Sequence, residues 1–270
     1  MVEHPLSLEP LSLPEVPARE LVDIAGHVGF NYVSMFLHPP APTFPADSIV
    51  SDLTLRRATL AAMKTSGVRL LNIECFNLTP EARVGDFASA LACGHELGAL
   101  TASVIVNENS ERSDVLAKYQ RLCDMACEMD IRVNVEFFAT SKYMGTLDAA
   151  AALVRDSHRA NAGVVIDVLH LIRTSGSIDA LTALNPDLIG AAQISDGPLL
   201  CAETDLNDEA AYTRQLPGAG EFPLKAFLAA LPPTLIVGVE VPLLSLASEF
   251  SPRHRARMLI EATRALYSGV

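Results

Sequence analysis

Val164-Val165-Ile166-Asp167 is an apolar, strand-like run closed by a polar residue, here a carboxylate, and three further segments end on a polar residue in the same way: Val133-Asn134-Val135-Glu136, Ala191-Ala192-Gln193 and Val237-Gly238-Val239-Glu240. A carboxylate at the end of a buried strand is costly unless something neutralises it. Each run is separated from the next by enough chain for a helix. A parallel barrel would therefore bring all four ends to one face, around one cation. Any one of these residues alone could equally cap a strand or pair with an arginine. Four at the same position are what a shared site requires.

Outward from these runs, the chain keeps alternating strand and helix patterns. Phe30–Leu37, Val68–Phe76, Ala99–Val106, Ile131–Phe138, Gly163–Leu169, Leu188–Ile194 and Leu235–Val241 read as strands, and Leu6–Leu13 supplies an eighth. Between them, a helix is expected from Ser51-Asp52 to Gly67, and another from Thr79-Pro80 to Gly98. Val115, Tyr119, Leu122, Ala126 and Met129 form a helical core stripe, and Ser251-Pro252 opens a last helix with Met258, Leu259, Ala262 and Leu266 inward. Regular alternation implies a parallel sheet, and eight units close it. The expectation is an α/β chain forming a single (β/α)8 TIM barrel over residues 1–270. A doubly wound sheet would need a Gly-rich turn after an early strand, and the sequence has none.

With 270 residues, half of them apolar, the chain can bury a barrel-sized core. Its 20 Lys and Arg against 32 Asp and Glu give a net charge of −12, which opposes a polyphosphate partner. The one close basic cluster, Arg253-His254-Arg255-Ala256-Arg257, reads as a solvated helix face. Five scattered cysteines without a C-x-x-C pair read as reduced structural thiols. Met1-Val2-Glu3-His4-Pro5 has no basic region leading into an apolar core, and no run approaches a membrane span. A cytoplasmic protein without nucleic-acid or membrane partners is expected, with self-association into homo-oligomers left open.

Three carboxylates and one amide oxygen form a hard, oxygen-rich donor set suited to Mg²⁺ or Mn²⁺. His170, three residues beyond Asp167, stands where it could bond a substrate oxygen. The segment Arg214-Gln215-Leu216-Pro217-Gly218-Ala219-Gly220-Glu221-Phe222 is too glycine-rich for a helix interior. It is expected to loop over the barrel mouth and present Arg214 to an anionic or polyhydroxylated ligand. His38, Glu74 and Asn107 end the second, third and fourth strands and point to the same mouth. Phe36, Phe76, Phe137 and Phe138 lie near that rim, as a pocket wall or as core.

The order Glu…Asp-x-x-His…Gln-x-x-Asp…Arg-x-x-Pro-Gly-x-Gly…Glu, from Ile131 to Pro242, resembles the xylose-isomerase-like barrels: sugar isomerases and epimerases, hydroxypyruvate isomerase, inosose dehydratase and 3-dehydroshikimate dehydratase. The resemblance implies a divalent metal, Mn²⁺ or Mg²⁺ with Co²⁺ or Zn²⁺ as alternatives, on Glu136, Asp167, Gln193 and Glu240. It makes Glu136 and Glu240 the acid/base pair and His170 and Arg214 the residues that hold substrate oxygens; His38, Glu74 and Asp196 complete the substrate-binding candidates from their places at or just past strand ends. Many members carry His where this chain has Gln193, whereas hydroxypyruvate isomerases carry Gln. Phe137-Phe138-Ala139-Thr140-Ser141-Lys142 lacks the Pro that often follows this glutamate in members acting on small ketoses. The implied activity is isomerisation or epimerisation of a sugar or other polyhydroxylated carbonyl compound, through Glu-mediated proton transfer and a metal-stabilised enediolate. The same enolate expels water when a hydroxyl lies β to the carbonyl, so a dehydratase is the alternative. An apurinic-site endonuclease on this fold would need many histidines and basic loops, and this chain has seven histidines and a strong negative charge. A ligand-binding barrel without turnover would not need both glutamates.

Overall fold

A computed structural model of the chain describes residues 2–39, 48–106, 111–201 and 206–268; Asn107 lies outside them. Eight parallel strands close into a barrel in sequence order: β1 (Leu6–Leu8), β2 (Tyr32–Phe36), β3 (Arg69–Asn77), β4 (Thr101–Ile105), β5 (Arg132–Glu136), β6 (Ala162–Asp167), β7 (Ile189–Ile194) and β8 (Val237–Val239). β8 returns to pair with β1, Leu8 opposite Val239. The helices wrapping them include α1 (Ala18–Val28), α2 (Leu53–Ser66), α3 (Ala88–Glu96), α4 (Arg112–Cys127) and α5 (Leu147–Ser157). They continue with α6 (Val168–Arg173), α7 (Ile178–Ala183), α8 (Leu206–Asp208), α9 (Leu224–Ala230) and α10 (Pro252–Tyr267).

Local chemistry sets the boundaries of several of these elements. The Asp52 carboxylate accepts from the Thr54 and Leu55 N–H groups to start α2, and Gly67 closes it at φ 75°. Ser51-Asp52 and Gly67 therefore act as expected. Ser251 caps α10 through His254 N, with Pro252 in its first turn. The Leu6–Leu13 strand is shorter than expected: pairing stops after Leu8, and Pro10–Ser12 is a 3-10 turn, because Pro10 has no N–H to give a ladder. The helix expected from Thr79-Pro80 begins only at Ala88, after a 3-10 turn over Val84–Phe87. The Thr79 carbonyl takes Ala82 N–H in a single turn and the Lys118 ammonium instead.

The core lies between strands and helices, and the barrel interior is partly polar. Asn72 Nδ2 donates to Ser103 Oγ and Glu74 Oε1, both at 2.5 Å, and Thr101 Oγ1 donates to Asn72 Oδ1 at 2.8 Å. Two strand glycines give these side chains room: a Cβ on Gly190 would lie 1.7 Å from Asn134 Oδ1, and one on Gly238 2.6 Å from Glu9 Oε1. On α10 the buried residues are Arg255, Ala256, Leu259, Ile260, Thr263 and Leu266, so Met258 and Ala262 sit at the edge of the stripe. Arg255 corrects the reading of its cluster as wholly solvated. It is 1% exposed, donates to the Leu243 carbonyl at 3.1 Å and pairs with Glu15. Among the described residues, no helix is long and apolar enough to cross a membrane.

Candidate functional site

Parallel register carries the four strand-end residues to one rim. Glu136 ends β5 opposite Val165, Asp167 ends β6 opposite Gln193 of β7, and Gln193 stands opposite Gly238, two residues before Glu240. Glu240 follows β8 and donates its backbone N–H to the Ile194 carbonyl (3.0 Å). The β6 strand, read as running to Leu169, ends at Asp167 because this carboxylate accepts from Leu169 N (2.8 Å) and starts α6. That single turn swings His170 back over the rim, with Nε2 3.6 Å from Glu136 Oε1 and 3.9 Å from Asp167 Oδ2.

These groups meet at a cavity of about 500 Å³. Glu74, Glu136, Glu240, His170, Arg173 and Arg214 give it polar lining, and Leu11, Phe36, Phe138 and Leu169 give it apolar lining. Phe76 and Phe137 are core residues, fully buried. Asp167 and Gln193 lie buried beside the cavity. Gln193 Nε2 donates to Glu240 Oε1 at 3.2 Å, while Gln193 Oε1 is buried with no hydrogen-bond partner among the described residues. An orphaned amide oxygen among carboxylates is what a hard cation would satisfy. Glu136, Asp167 and His170 each also offer a ligand atom within 4.8 Å of the others. Glu136, Asp167 and His170 thus form a group that fits a divalent ion, with His170 in it although the sequence suggested only a substrate contact; Glu240 falls outside that group, its oxygens facing Arg214 and Gln193.

Burial dominates the electrostatics. It raises the Glu74 and Glu136 carboxyl pKa values well above the ordinary range, and mutual repulsion among the acids adds to it. The Glu240 carboxyl is pushed up to about 8 by burial, with Arg214 offsetting part of the effect. Burial pulls the His170 imidazole down to about 4, so it is neutral at pH 7. Arg214 Nη1 lies 2.7 Å from Asp167 Oδ2 and 3.0 Å from Glu240 Oε2. Burial opposes its charge, but Asp167 and Glu240 outweigh that cost and raise its pKa.

The other candidates are placed differently from one another. Glu74 borders the cavity, as expected. His38 does not: its ring packs against Phe76 (5.7 Å) and edge-on to Phe87 (4.9 Å), and burial lowers its pKa. Asp196 is also absent from the cavity wall. Its buried carboxylate accepts from the backbone N–H groups of Gly197 (2.8 Å), Gly218 (2.9 Å) and Phe222 (3.0 Å). It holds the 214–222 loop in place, and its own backbone pairs with Gln215. The loop therefore sends Arg214 down among the carboxylates as well as along the cavity wall. Sequence reading missed Glu9, which is 1% exposed, with Oε1 unpartnered and its pKa raised by burial. The missed signal was the same one: a carboxylate closing the apolar run Leu6–Leu8.

Over 150 residues, 56% of this chain, the sequence is 27% identical to a 3-dehydroshikimate dehydratase of Pseudomonas aeruginosa. Over 155 residues, 55% of the chain, it is 30% identical to the same enzyme of Pseudomonas putida. In both cases the matched segment spans 23% of the relative's length, so just over half of this chain corresponds to about a quarter of these longer proteins. The IolI protein, solved with a bound zinc atom, superposes with a TM-score of 0.79 at 16% identity, covering 99% of this chain and 98% of its own. A profile of the xylose isomerase-like TIM barrel family matches residues 22–263, through every strand but the first, and the chain belongs to that family.

Proposed function

We propose that this barrel is a divalent-metal-dependent enzyme that removes a proton beside the carbonyl of a small polyhydroxylated substrate, with loss of water as the net reaction. The observation that carries the proton chemistry is the convergence of Glu136 and Glu240 on one cavity, both with raised carboxyl pKa values, beside the orphaned Gln193 oxygen. Glu136, Asp167, Gln193 and Glu240 would hold the ion, with His170 within reach. Bound there, a divalent cation supplies Lewis acidity to a carbonyl and a neighbouring hydroxyl oxygen.

Glu240 serves as the base. Without metal, burial holds the Glu240 carboxyl at about 8, so it keeps its proton at neutral pH; beside the charge of a bound cation it would lose that proton and be a carboxylate free to act as base. Glu136 holds a proton for the departing hydroxyl, with the neutral His170 ring 3.6 Å away. The apolar lining from Phe36, Phe138, Leu11 and Leu169 suits a ring better than an open chain. Sequence likeness to two dehydratases favours elimination over the other outcomes. Isomerisation or epimerisation is the second reading, favoured by two glutamates on one cavity: a proton taken by one can be returned by the other.

Proton NMR in D₂O with the Mg²⁺-loaded protein tests this, using 3-dehydroshikimate, inosose, hydroxypyruvate and ketoses. New vinylic or aromatic signals establish elimination. Deuterium entering beside the carbonyl with all hydroxyls retained moves the assignment to the isomerase or epimerase. No metal-dependent change in any of the four classes refutes the reading.

A further inference from the structure

Both arginines bordering the cavity are engaged by carboxylates, in very different ways. Arg173 is clamped outside the acidic cluster: Glu209 takes its Nε and Nη2 at 2.6 Å each, Pro198 and Leu199 carbonyls take the rest of the fork, and the group stacks over Phe222. Arg214 lies inside the cluster, its side chain 2% exposed, bonded to Asp167 Oδ2 and Glu240 Oε2. The second oxygen of Asp167 already accepts from Leu169 N, and that of Glu240 from Gln193 Nε2. Both oxygens of each carboxylate are thus engaged, and the guanidinium occupies the side they share. A divalent ion taking both groups as ligands would meet a +1 charge at contact range in a buried site, where charges repel far more strongly than in water.

Little besides the two carboxylates holds the end of this guanidinium. Nη1 has a long contact to the Glu240 carbonyl (3.4 Å), and Nε donates to the Ala210 carbonyl (2.7 Å). Ala210 sits in the π-helical turn Glu209–Thr213, and the cavity lies alongside. Turns of this type recur at functional sites.

We propose that Arg214 is an exchangeable internal counter-cation. It neutralises Asp167 and stays in contact with Glu240 while no divalent ion is bound, and swings into the cavity when one arrives. There it is free to take an anionic or strongly polarised substrate oxygen. This rests on the metal-site reading above and extends it: metal binding and substrate binding become coupled through one side chain. The guanidinium also lowers the site's affinity for the metal, because the ion must displace it.

Calorimetric titration of the metal-stripped full chain with Mg²⁺ and Mn²⁺ tests the proposal, comparing wild type with Arg214→Met and Arg214→Lys. Arg214→Met should bind the ion more tightly, on the order of tenfold or more, because the competing buried partner is gone. It should also unfold at lower temperature in chelator and regain wild-type stability in excess Mg²⁺. Arg214→Lys, which keeps the charge without the fork, should fall between. Equal or weaker affinity in Arg214→Met, with wild-type binding intact, overturns the exchange and leaves the metal site standing. If neither protein binds either ion, the metal-site reading fails and takes this one with it. A measurement on the wild type guards against a misfolded variant. The protected Arg214 Nε–H NMR signal should shift and lose protection on adding Mg²⁺; an unchanged signal refutes the displacement.

Discussion

Replacing Asp196 with alanine should loosen the loop that positions Arg214, at a cost that follows from three hydrogen bonds. The carboxylate is 1% exposed and accepts from the N–H groups of Gly197, Gly218 and Phe222 at 2.8, 2.9 and 3.0 Å. Gly218 is exposed, so water can replace its bond, whereas Gly197 and Phe222 are buried and would be left unsatisfied. Two lost bonds to a charged acceptor, at about 1.5–3 kcal/mol each, give a loss of about 3–6 kcal/mol. For a domain of this size that corresponds to a fall in unfolding temperature of about 10 °C. Asp196→Asn keeps the shape and one good acceptor and should lose about half as much. Urea unfolding with fixed m-value is the assay. A midpoint for Asp196→Ala within about 0.5 kcal/mol of wild type would refute the assignment of Asp196 as the clamp of this loop.

Glu240→Gln should still bind ligand but lose metal-dependent deuterium uptake by at least about 100-fold, as expected for loss of a general base; turnover near the wild-type level would remove Glu240 from that role. In chelator, stability should fall as pH rises from about 5 to 8. The folded chain keeps the Glu240 proton up to about 8 against an ordinary 4.5, so it binds more protons than the unfolded chain across that window. Excess Mg²⁺ should abolish the fall, and scanning calorimetry at several pH values would show a flat profile without metal if the reasoning is wrong. His170 acts oppositely: with its pKa lowered to about 4, its contribution is lost as pH drops from about 6.5 to 4, so the metal-free protein should be most stable in mildly acidic buffer. Gly94→Ala in α3 should cost about 1–3 kcal/mol, because the new Cβ would sit 2.2 Å from Ile73 Cδ1 in a packed core; denaturant titration showing no loss would mean that β3 and α3 separate more easily than their packing suggests.

The proposed function and the counter-cation depend on one feature, an excess of buried acid. Glu9, Glu74, Glu136, Asp167 and Glu240 are all buried around the barrel mouth, and Arg214 is the guanidinium paired within that group. A single arginine cannot balance five carboxyl groups, so protons or a bound cation must make up the difference. Raised carboxyl pKa values answer that need without metal, and the orphaned Gln193 oxygen marks where a cation would answer it instead.

The strand-end acids were legible in the sequence because two simple rules suffice for them. Buried parallel strands are continuous apolar runs, and a carboxylate ending such a run is anomalous wherever it occurs. Closure of the barrel then places every strand end on one rim, so Glu136, Asp167, Gln193 and Glu240 met as the pattern implied. Residues beyond the strand ends obey no such rule. Asp196, just past a strand end, and Arg214, on the glycine-rich loop, both looked like ligand contacts. Only the folded loop showed that Asp196 turns to backbone amides while Arg214 reaches Asp167, 47 positions away in sequence. His38 ends a strand as Glu74 does, yet its ring found Phe76 and Phe87 rather than the cavity. Strand periodicity fixes which side of the sheet a side chain leaves; past the last ladder bond, its direction is decided by the partners that packing brings within reach.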